Sequence, residues 1–164
     1  MAEFLLEALS EEIPARMQKR AAAEFSQIFT SELEKVGLAY EIANYFVTPR
    51  RIAISIDGLP LQQANVVEER RGPRVDAPAP ALDGFMRSNN ISLDQIEERE
   101  TKKGRFYFVE IETKGKLTKE VLPAIIETSL KKFAWPKSMR WGSNSFRWVR
   151  PLHSILAVFE AEVL

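Results

Sequence analysis

Residues 4–56 read FLLEALSEEIPARMQKRAAAEFSQIFTSELEKVGLAYEIANYFVTPRRIAISI, and this stretch decides the fold. Its start, Phe4 to Leu9, is typical of a short strand, and Pro14 stands at a first-turn position of a following helix. Gly37 is a natural C-terminal stop for that helix. In between, the apolar residues that recur at helical spacing are Met17, Ala21, Phe25, Ile28, Leu33 and Val36. The sequence therefore predicts a strand followed by a long amphipathic helix.

Two further strands are predicted after the helix. Residues 40–47 and 52–56 are rich in β-branched and aromatic side chains, and the turn between them contains Pro49, which cannot continue a central strand. Arg50 and Arg51 lie in this turn. They are either solvated charges or phosphate ligands, because paired arginines in a turn suit bidentate contacts. The predicted order so far is β-α-β-β.

The middle of the chain changes in character. Glycine and proline punctuate residues 59–81, which predicts a loop containing one short strand. Residues 81–88 are predicted to form a short helix, and a hairpin is predicted through Lys103-Gly104. We predict that residues 59–116 are an insertion.

A second long helix and a last strand complete the predicted fold. Thr118 is predicted to cap the helix, whose apolar face runs from Leu122 to Phe133. The fold class is then α+β, a mainly antiparallel sheet covered by two helices in a split βαβ-like arrangement, with a hairpin-containing insertion. Because the sequence stops within the apolar run 156–164, we expect residues 1–164 to be one module of a longer chain.

Charge is distributed unevenly along the sequence. The formal net charge is +0, yet residues 128–159 contain all three tryptophans, the only histidine and no Asp or Glu. The six cations of this segment are Lys131, Lys132, Lys137, Arg140, Arg147 and Arg150. Such a run is either a solvated face or an anion-binding surface.

Within this segment, Met-Arg-Trp at 139–141 and Phe-Arg-Trp at 146–148 flank a predicted hairpin loop. The pairs predicted by symmetry about the loop are Trp141 with Phe146, Arg140 with Arg147, and Met139 with Trp148. Facing arginines destabilise a sheet unless an anion bridges them, and a phosphate backbone would do so. The alternatives are that both point separately into water, or that they pair with acids such as Glu7, Glu11 or Glu110.

Several kinds of chemistry find no support in the sequence. With no cysteine and with His153 as the single histidine, we expect no disulfide, no thiolate catalysis and no metal site. Neither G-x-x-x-x-G-K-[ST] nor G-x-G-x-x-G occurs. The serines near His153 have no acidic partner close in sequence, so we predict no catalytic residue.

The start of the chain lacks a basic region followed by a long apolar one, and no stretch approaches the ~18 apolar residues of a membrane span. The composition is 45% hydrophobic, as in ordinary globular domains. We therefore expect a cytoplasmic protein with no membrane partner.

Five segments together, in this order, resemble the N-terminal region of the bacterial glycyl-tRNA synthetase beta subunit. They are LEALSEEIP at 6–14, TPRRIA at 48–53, ERRGP at 69–73, KSMRWG at 137–142 and FRWVRPLH at 146–153. One departure is visible, because the family's usual Glu-Ile-Gly-Thr-Glu-Glu appears at 7–12 as EALSEE, without its glycine. A close backbone approach at that point is therefore not expected.

The resemblance implies a heterotetramer of two alpha and two beta chains. In it, the alpha subunit holds the class II site that forms glycyl-adenylate from ATP with Mg²⁺, and the beta subunit is needed to bind tRNA(Gly) and for the assembled activity. Phe146-Arg147 is similar to a class II motif, but the following Glu is absent, so no cofactor and no catalytic residue is expected in this chain. The candidates for RNA contact are Arg50, Arg51, Arg70, Arg71, Lys137, Arg140, Arg147 and Arg150.

Three classes of function are compatible with these features. The leading hypothesis is a module of a tRNA ligase beta subunit that contributes to tRNA binding and subunit assembly. A structural protein–protein module without RNA contact and a small-substrate enzyme domain are the alternatives. RNA contact requires cations on an open face beside stackable aromatics, a protein interface requires buried aromatics with a polar rim, and an enzyme requires a concave site with perturbed titratable groups.

Overall fold

The computed structural model describes residues 2–143 and 145–164, which fall into two compact units. The first unit comprises Met1–Gln63 with Lys116–Leu164, and the second comprises Ala64–Gly115. That residues 59–116 are an insertion into one larger module stays a prediction.

Eight strands and three helices are present in the described residues, with one turn of 3-10 helix at Leu93–Gln95. In chain order they are β1 (Ala2–Ser10), α1 (Ala15–Lys35), β2 (Ile42–Thr48), β3 (Arg51–Leu59), β4 (Val66–Arg74), α2 (Ala79–Asn89), β5 (Ile96–Thr101), β6 (Gly104–Thr113), α3 (Thr118–Lys132), β7 (Leu152–Phe159) and β8 (Glu162–Val163).

The first unit contains a five-stranded sheet in the order β2-β3-β1-β7-β8, in which every neighbouring pair is antiparallel. Leu6 in the central strand pairs with Ile54 on one side and Ala157 on the other. Strands β1 and β2 are therefore parallel to each other with β3 between them, and β3 and β7 are parallel with β1 between them. This double split βαβ is the ferredoxin-like arrangement, and it confirms the predicted α+β class.

One face of this sheet forms the core. Along β1 the side chains of Ala2, Phe4, Leu6 and Ala8 are buried, and the residues between them are exposed or half-buried, as alternation along a strand requires. Helices α1 and α3 contribute to the same core, and Phe4 stacks on Phe29 of α1 at 5.2 Å between ring centroids. The remaining buried residues of α1 are Ala21, Ala22, Phe25, Ser26 and Leu33.

The predicted stop of α1 at Gly37 is confirmed. The N–H of Gly37 donates to Glu34 and that of Leu38 donates to Leu33, which is the double hydrogen bond of a Schellman motif. Gly37 has φ +73°, and nothing lies within 4 Å of the position that a Cβ would take there. Gly58 in β3 differs, because it combines φ +81° with side-chain carbons of Glu41 that would overlap such a Cβ.

These two glycines allow a paired test. We expect Gly37→Ala to lower the free energy of unfolding by about 1–2 kcal/mol, since only the left-handed backbone conformation is penalised. Gly58→Ala should lower it by about 1–3 kcal/mol more, because the added methyl also overlaps Glu41. Urea unfolding of both variants measures the difference. Equal losses would contradict the close approach of Glu41 to Gly58.

The second unit contains a three-stranded antiparallel sheet in the order β4-β6-β5, together with α2. The hairpin predicted through Lys103-Gly104 is confirmed, since β5 and β6 pair from Thr101 with Gly104 onward. The loop predicted for residues 59–81 is wrong in part, because β4 is a nine-residue strand. Its early residues are exposed, so the one-sided burial that reveals a strand in a sequence is missing.

Helix α3 has the predicted apolar face, and its buried residues include Leu122, Ile125, Ile126, Ser129 and Leu130. The predicted cap is wrong. The residue before the first turn is Leu117, and the hydroxyl of Thr118 donates to the backbone C=O of Pro60 instead of to the helix. A contact across 58 residues has replaced the local one, which fixes the start of α3 to the end of β3.

Candidate nucleic-acid interface

An aromatic cluster anchors residues 133–148 to the core of the first unit. Trp148 is 1% exposed, and its ring lies edge-on to Phe25 of α1 and to Trp135, with centroid distances of 6.1 and 5.1 Å. Phe133 and Phe146 add contacts to Trp148 at 5.5 and 5.9 Å. Each such pair contributes about 0.5–1.5 kcal/mol beyond the burial of area. Trp135 and Trp148 are therefore both part of the hydrophobic core.

The pairing predicted across residues 142–145 forms at its outer end. Met139 and Trp148 make an isolated antiparallel bridge, in which the N–H of each donates to the C=O of the other at 2.8 and 3.2 Å. The half-buried rings of Trp141 and Phe146 meet edge-on at 6.1 Å. The predicted register is therefore confirmed for Met139 with Trp148, and Trp141 and Phe146 meet through their rings without a backbone bridge.

The predicted strand pair of Arg140 with Arg147 is wrong. Neither residue belongs to a strand. The guanidinium of Arg147 turns to Ser138, with Nε donating to Oγ at 3.1 Å and Nη2 donating to the C=O at 3.4 Å. The guanidinium of Arg147 thus bonds to the nearby Ser138, and the two arginines do not face each other in a sheet. Asn144, in the predicted loop, lies outside the described residues.

A hollow of about 460 Å³ opens beside this segment. Phe133, Trp135 and Phe146 line it with aromatic surface, and Lys131 and Arg147 bring positive charge to it. Aromatic faces next to cations suit the stacking of an unpaired base whose phosphates lie nearby.

The six cations of residues 128–159 differ in their partners. Lys131 pairs with Glu127, and Lys132 pairs with Glu32 at 2.8 Å. The other four are exposed, and no described carboxylate oxygen lies within 4.0 Å of them. They are Lys137, Arg140, Arg147 and Arg150. Their charge is therefore not neutralised by acids in the described part of the chain.

Arg50 and Arg51 lie at one end of the five-stranded sheet, and each meets a carboxylate. Arg50 Nη2 is 3.6 Å from Glu11 Oε1, and Arg51 Nε is 3.5 Å from Glu7 Oε1. His153 Nε2 donates to the same Glu11 oxygen at 2.6 Å. Exposed ion pairs contribute only about 0–1 kcal/mol to folding stability. Exchange of the carboxylate partner of Arg50 or Arg51 for a phosphate would therefore cost little stability.

The Glu11 carboxyl has a lowered pKa. The hydrogen bond from His153 is the largest cause, partial desolvation opposes it, and the charge of Arg50 lowers the pKa further from its ordinary value of 4.5. A carboxyl whose pKa is lowered by folding stabilises the folded state at any pH above its pKa in the unfolded chain. This stabilisation is lost as the pH falls through the pKa that the carboxyl has in the folded state.

We therefore expect Glu11→Gln to be less stable than the wild type near neutral pH, and the gap to close as the pH falls below about 4.5. Thermal unfolding across the acid range measures this gap. Glu12→Gln is the matched control, since the neighbouring Glu12 is exposed and makes no ion pair among the described residues. A Glu11→Gln gap that stays constant down to the acid limit would contradict the coupling with His153.

Arg70 and Arg71 belong to β4 of the second unit. Arg70 Nη2 lies 2.8 Å from Glu68 Oε2, and its Nη1 donates to Asn89 Oδ1 at 2.8 Å. The guanidinium of Arg71 lies over the ring of Phe106, 4.6 Å from the centroid, which is a cation–π contact. Arg70 is thus already paired, while Arg71 presents a stacked cation. Their role in RNA contact stays a prediction.

The alternative in which Arg140 and Arg147 pair with distant acids is wrong within the described residues. The acids proposed for it have other partners: Glu7 meets Arg51, Glu11 meets Arg50 and His153, and Glu110 meets Arg99. Sequence inspection missed the contact of Glu11 with His153. The two are 142 residues apart, and no local signal links them.

In residues 2–143 and 145–164 no three His, Cys, Asp or Glu side chains gather so that they could hold a metal ion. In the same residues, no helix has the length and hydropathy needed to span a membrane. The pKa values of Glu11, Glu32 and Glu127 are lowered by hydrogen bonds from His153 or surface lysines, and the pKa of Asp94 is lowered by a hydrogen bond from Ser92. That the chain holds no metal and no catalytic residue stays a prediction.

Comparison with known proteins places the chain among the subunits of aminoacyl-tRNA synthetases. Residues 4–164 match the family model described as glycyl-tRNA synthetase beta subunit, and the chain belongs to this family. The resemblance of the five segments is thereby confirmed.

Three curated relatives carry the name glycine–tRNA ligase beta subunit. The protein of Rhodospirillum centenum is 50% identical over 100% of this chain and 23% of its own length. Those of Paracoccus denitrificans and Cereibacter sphaeroides are 47% and 46% identical over 99% of this chain, and over 24% and 23% of their own lengths. The chain therefore spans about a quarter of the length of the curated relatives it matches.

Proposed function

We propose that this chain is the N-terminal module of the beta subunit of a heterotetrameric glycine–tRNA ligase. In that enzyme it contributes to the binding of tRNA(Gly) and to subunit assembly for glycyl-tRNA synthesis. The observation that carries the proposal is the positive charge of Lys137, Arg140, Arg147 and Arg150, which no carboxylate of the described residues neutralises, beside the half-buried rings of Trp141 and Phe146. Membership of the beta subunit family supports it.

The physical argument rests on what a phosphate backbone requires. Exposed cations release bound counterions from RNA when they meet its phosphates, which gives affinity without reading sequence. Trp148 and Trp135 are buried and fix the position of the segment, so the exposed cations sit on an ordered base. The partly exposed rings of Trp141 and Phe146 add surface on which an unpaired base can stack.

We assign the chemical steps to other parts of the enzyme. Glycyl-adenylate formation, with ATP and Mg²⁺, belongs in this proposal to the alpha subunit, and the assembled enzyme has two alpha and two beta chains in the cytoplasm. No phosphate-cradling glycine motif occurs in the sequence, and the Glu that follows Phe-Arg in the class II motif is absent after Phe146-Arg147. This chain alone should therefore show no glycine-dependent exchange of pyrophosphate into ATP. Measurable exchange would contradict the assignment.

A second candidate function is a protein–protein module without direct RNA contact. It is favoured by apolar side chains that are exposed on the uncovered face of the five-stranded sheet, namely Leu5, Phe46 and Leu156. Such side chains in a soluble protein often mark a contact with another chain or domain.

Titration of labelled tRNA(Gly) with this chain separates the two candidates. We expect saturable binding that weakens steeply as salt is added, because phosphate contacts release counterions. The matched comparison is co-purification of the chain with the alpha subunit in the absence of RNA. Alpha binding with no saturable tRNA binding at low salt would favour the protein–protein module and overturn the RNA-binding role.

A further inference from the structure

The three-stranded sheet of the second unit has one face that α2 does not cover. Arg70 of β4 donates to Asn89 of α2 at 2.8 Å, so α2 lies on the side of Arg70. Side chains alternate along a strand, which places Arg71 on the opposite side. Its guanidinium stands over the ring of Phe106 in β6. The face that carries Arg71 and Phe106 is therefore the open face of this sheet.

Two phenylalanine rings of β6 lie on the open face, and each has a guanidinium over it. Arg71 is 4.6 Å from the ring centroid of Phe106, and Arg99 of β5 is 5.5 Å from that of Phe108. No described carboxylate oxygen lies within 4.0 Å of Arg71. Arg99, in contrast, contacts three carboxylates, those of Glu69, Glu97 and Glu110. Of the two stacked arginines, only Arg71 keeps its positive charge for a ligand.

The turn between β5 and β6 brings two more cations to the Phe106 end of this face. Lys102 and Lys103 form the turn, and Phe106 is the third residue of β6. Both lysines are exposed, and no described carboxylate oxygen lies within 4.0 Å of either. A strand rises about 3.3 Å per residue, so Glu110 lies roughly 13 Å along β6 from Phe106. Unpaired positive charge is thus gathered at one end of the face, and the acids lie toward the other.

We propose that Arg71, Phe106, Lys102 and Lys103 form a second nucleic-acid site, which binds an unpaired nucleotide of an RNA strand. Guanidinium planes and aromatic rings are the groups on which unpaired bases stack. The base stacks on the exposed guanidinium of Arg71, which the ring of Phe106 supports, and the lysines contact the neighbouring phosphates. The inference rests on the proposed function for the kind of ligand, but it concerns a different unit of the chain.

Replacement of Arg71 and of its neighbour Arg70 tests the site with matched changes of charge. We expect Arg71→Gln to weaken binding of a labelled, unstructured oligoadenylate of about ten nucleotides by about tenfold, the effect of losing one stacked base. Arg70→Gln is the control, because Arg70 lies on the side of α2 and is paired with Glu68. It should change the affinity less than about twofold. Fluorescence anisotropy measures binding, and circular dichroism checks that both variants fold.

A second pair of variants separates stacking from charge. Phe106→Leu removes the ring under Arg71 and keeps an apolar side chain in the sheet. It should weaken oligoadenylate binding by about tenfold and leave the dependence of affinity on salt unchanged, since no cation is lost. Phe108→Leu makes the same change two residues along the same face, beside the acid-paired Arg99, and should have little effect.

Two results would overturn the inference: a wild-type chain without saturable oligoadenylate binding, or equal affinities for Arg71→Gln and Arg70→Gln. Titration of tRNA(Gly) distinguishes this failure from that of the proposed function. If Arg71→Gln and Phe106→Leu bind oligoadenylate normally while loss of Lys137, Arg140 and Arg150 weakens tRNA binding, only the site on the second unit is wrong. If the reverse holds, the site on the second unit stands and the surface of residues 137–150 is wrong.

Discussion

Replacement of Trp148 by alanine is expected to lower the free energy of unfolding of the first unit by about 3–5 kcal/mol. The side chain is 1% exposed and touches the rings of Phe25, Phe133, Trp135 and Phe146. Its removal leaves a cavity among rigid aromatic groups that cannot collapse to fill it, so the loss includes both burial and contacts. Urea unfolding followed by near-ultraviolet circular dichroism measures the change.

Met139→Ala is the matched control, because Met139 pairs with Trp148 through the backbone but its side chain is 39% exposed. We expect this variant to lose less than about 1 kcal/mol, as is usual for exposed positions. If Trp148→Ala also lowered the free energy of unfolding by less than about 1 kcal/mol, Trp148 would not be the residue that anchors residues 137–150 to the core.

The largest functional effect is expected from the loss of three exposed cations. Replacement of Lys137, Arg140 and Arg150 by Gln should weaken binding of tRNA(Gly) roughly a hundredfold, since each phosphate contact is worth about 1 kcal/mol. None of the three has a described carboxylate within 4.0 Å, so their removal should leave the free energy of unfolding almost unchanged. Arg147 is left in place because it bonds to Ser138.

A variant with the same net charge provides the control. Arg20, Lys35 and Lys119 each pair with a carboxylate, and all lie outside residues 128–159. Their replacement by Gln removes as much positive charge as the triple substitution on the proposed surface. If both triple variants bind tRNA(Gly) equally weakly, the overall charge decides binding and the surface of residues 137–150 has no special role.

The first half of the fold was predictable because burial there is one-sided. The alternating burial of β1 and the helical spacing from Ala21 to Leu33 can be recognised within short stretches of sequence. A glycine at position 37 likewise indicates the positive φ that ends the helix. Strand β4 was predicted only as one short strand within a loop, since it is exposed along most of its length and contains Gly72-Pro73. Periodicity predicts a strand only where one face is buried.

In the candidate site, the backbone pairing about the loop could be predicted from the sequence, whereas the hydrogen-bond partners set by tertiary contacts could not. The register of Met139 with Trp148 follows from the two similar triplets about one loop. Two hydrogen bonds could not be predicted in this way, those of Arg147 with Ser138 and of Thr118 with Pro60. Each depends on tertiary packing, which a short window of sequence does not contain. The sequence shows which segment lacks acids, and the structure adds which of its cations have no carboxylate within 4.0 Å among the described residues.

The salt dependence of tRNA binding tests the central claim most directly. We expect the logarithm of the association constant for tRNA(Gly) to fall linearly with the logarithm of salt concentration, with a slope of roughly −0.7 to −0.9 per phosphate contact. For the variant lacking Lys137, Arg140 and Arg150, we predict a slope shallower than that of the wild type by roughly 2 to 3. An unchanged slope would show that these cations touch no phosphate, and would contradict the assignment of this surface to RNA.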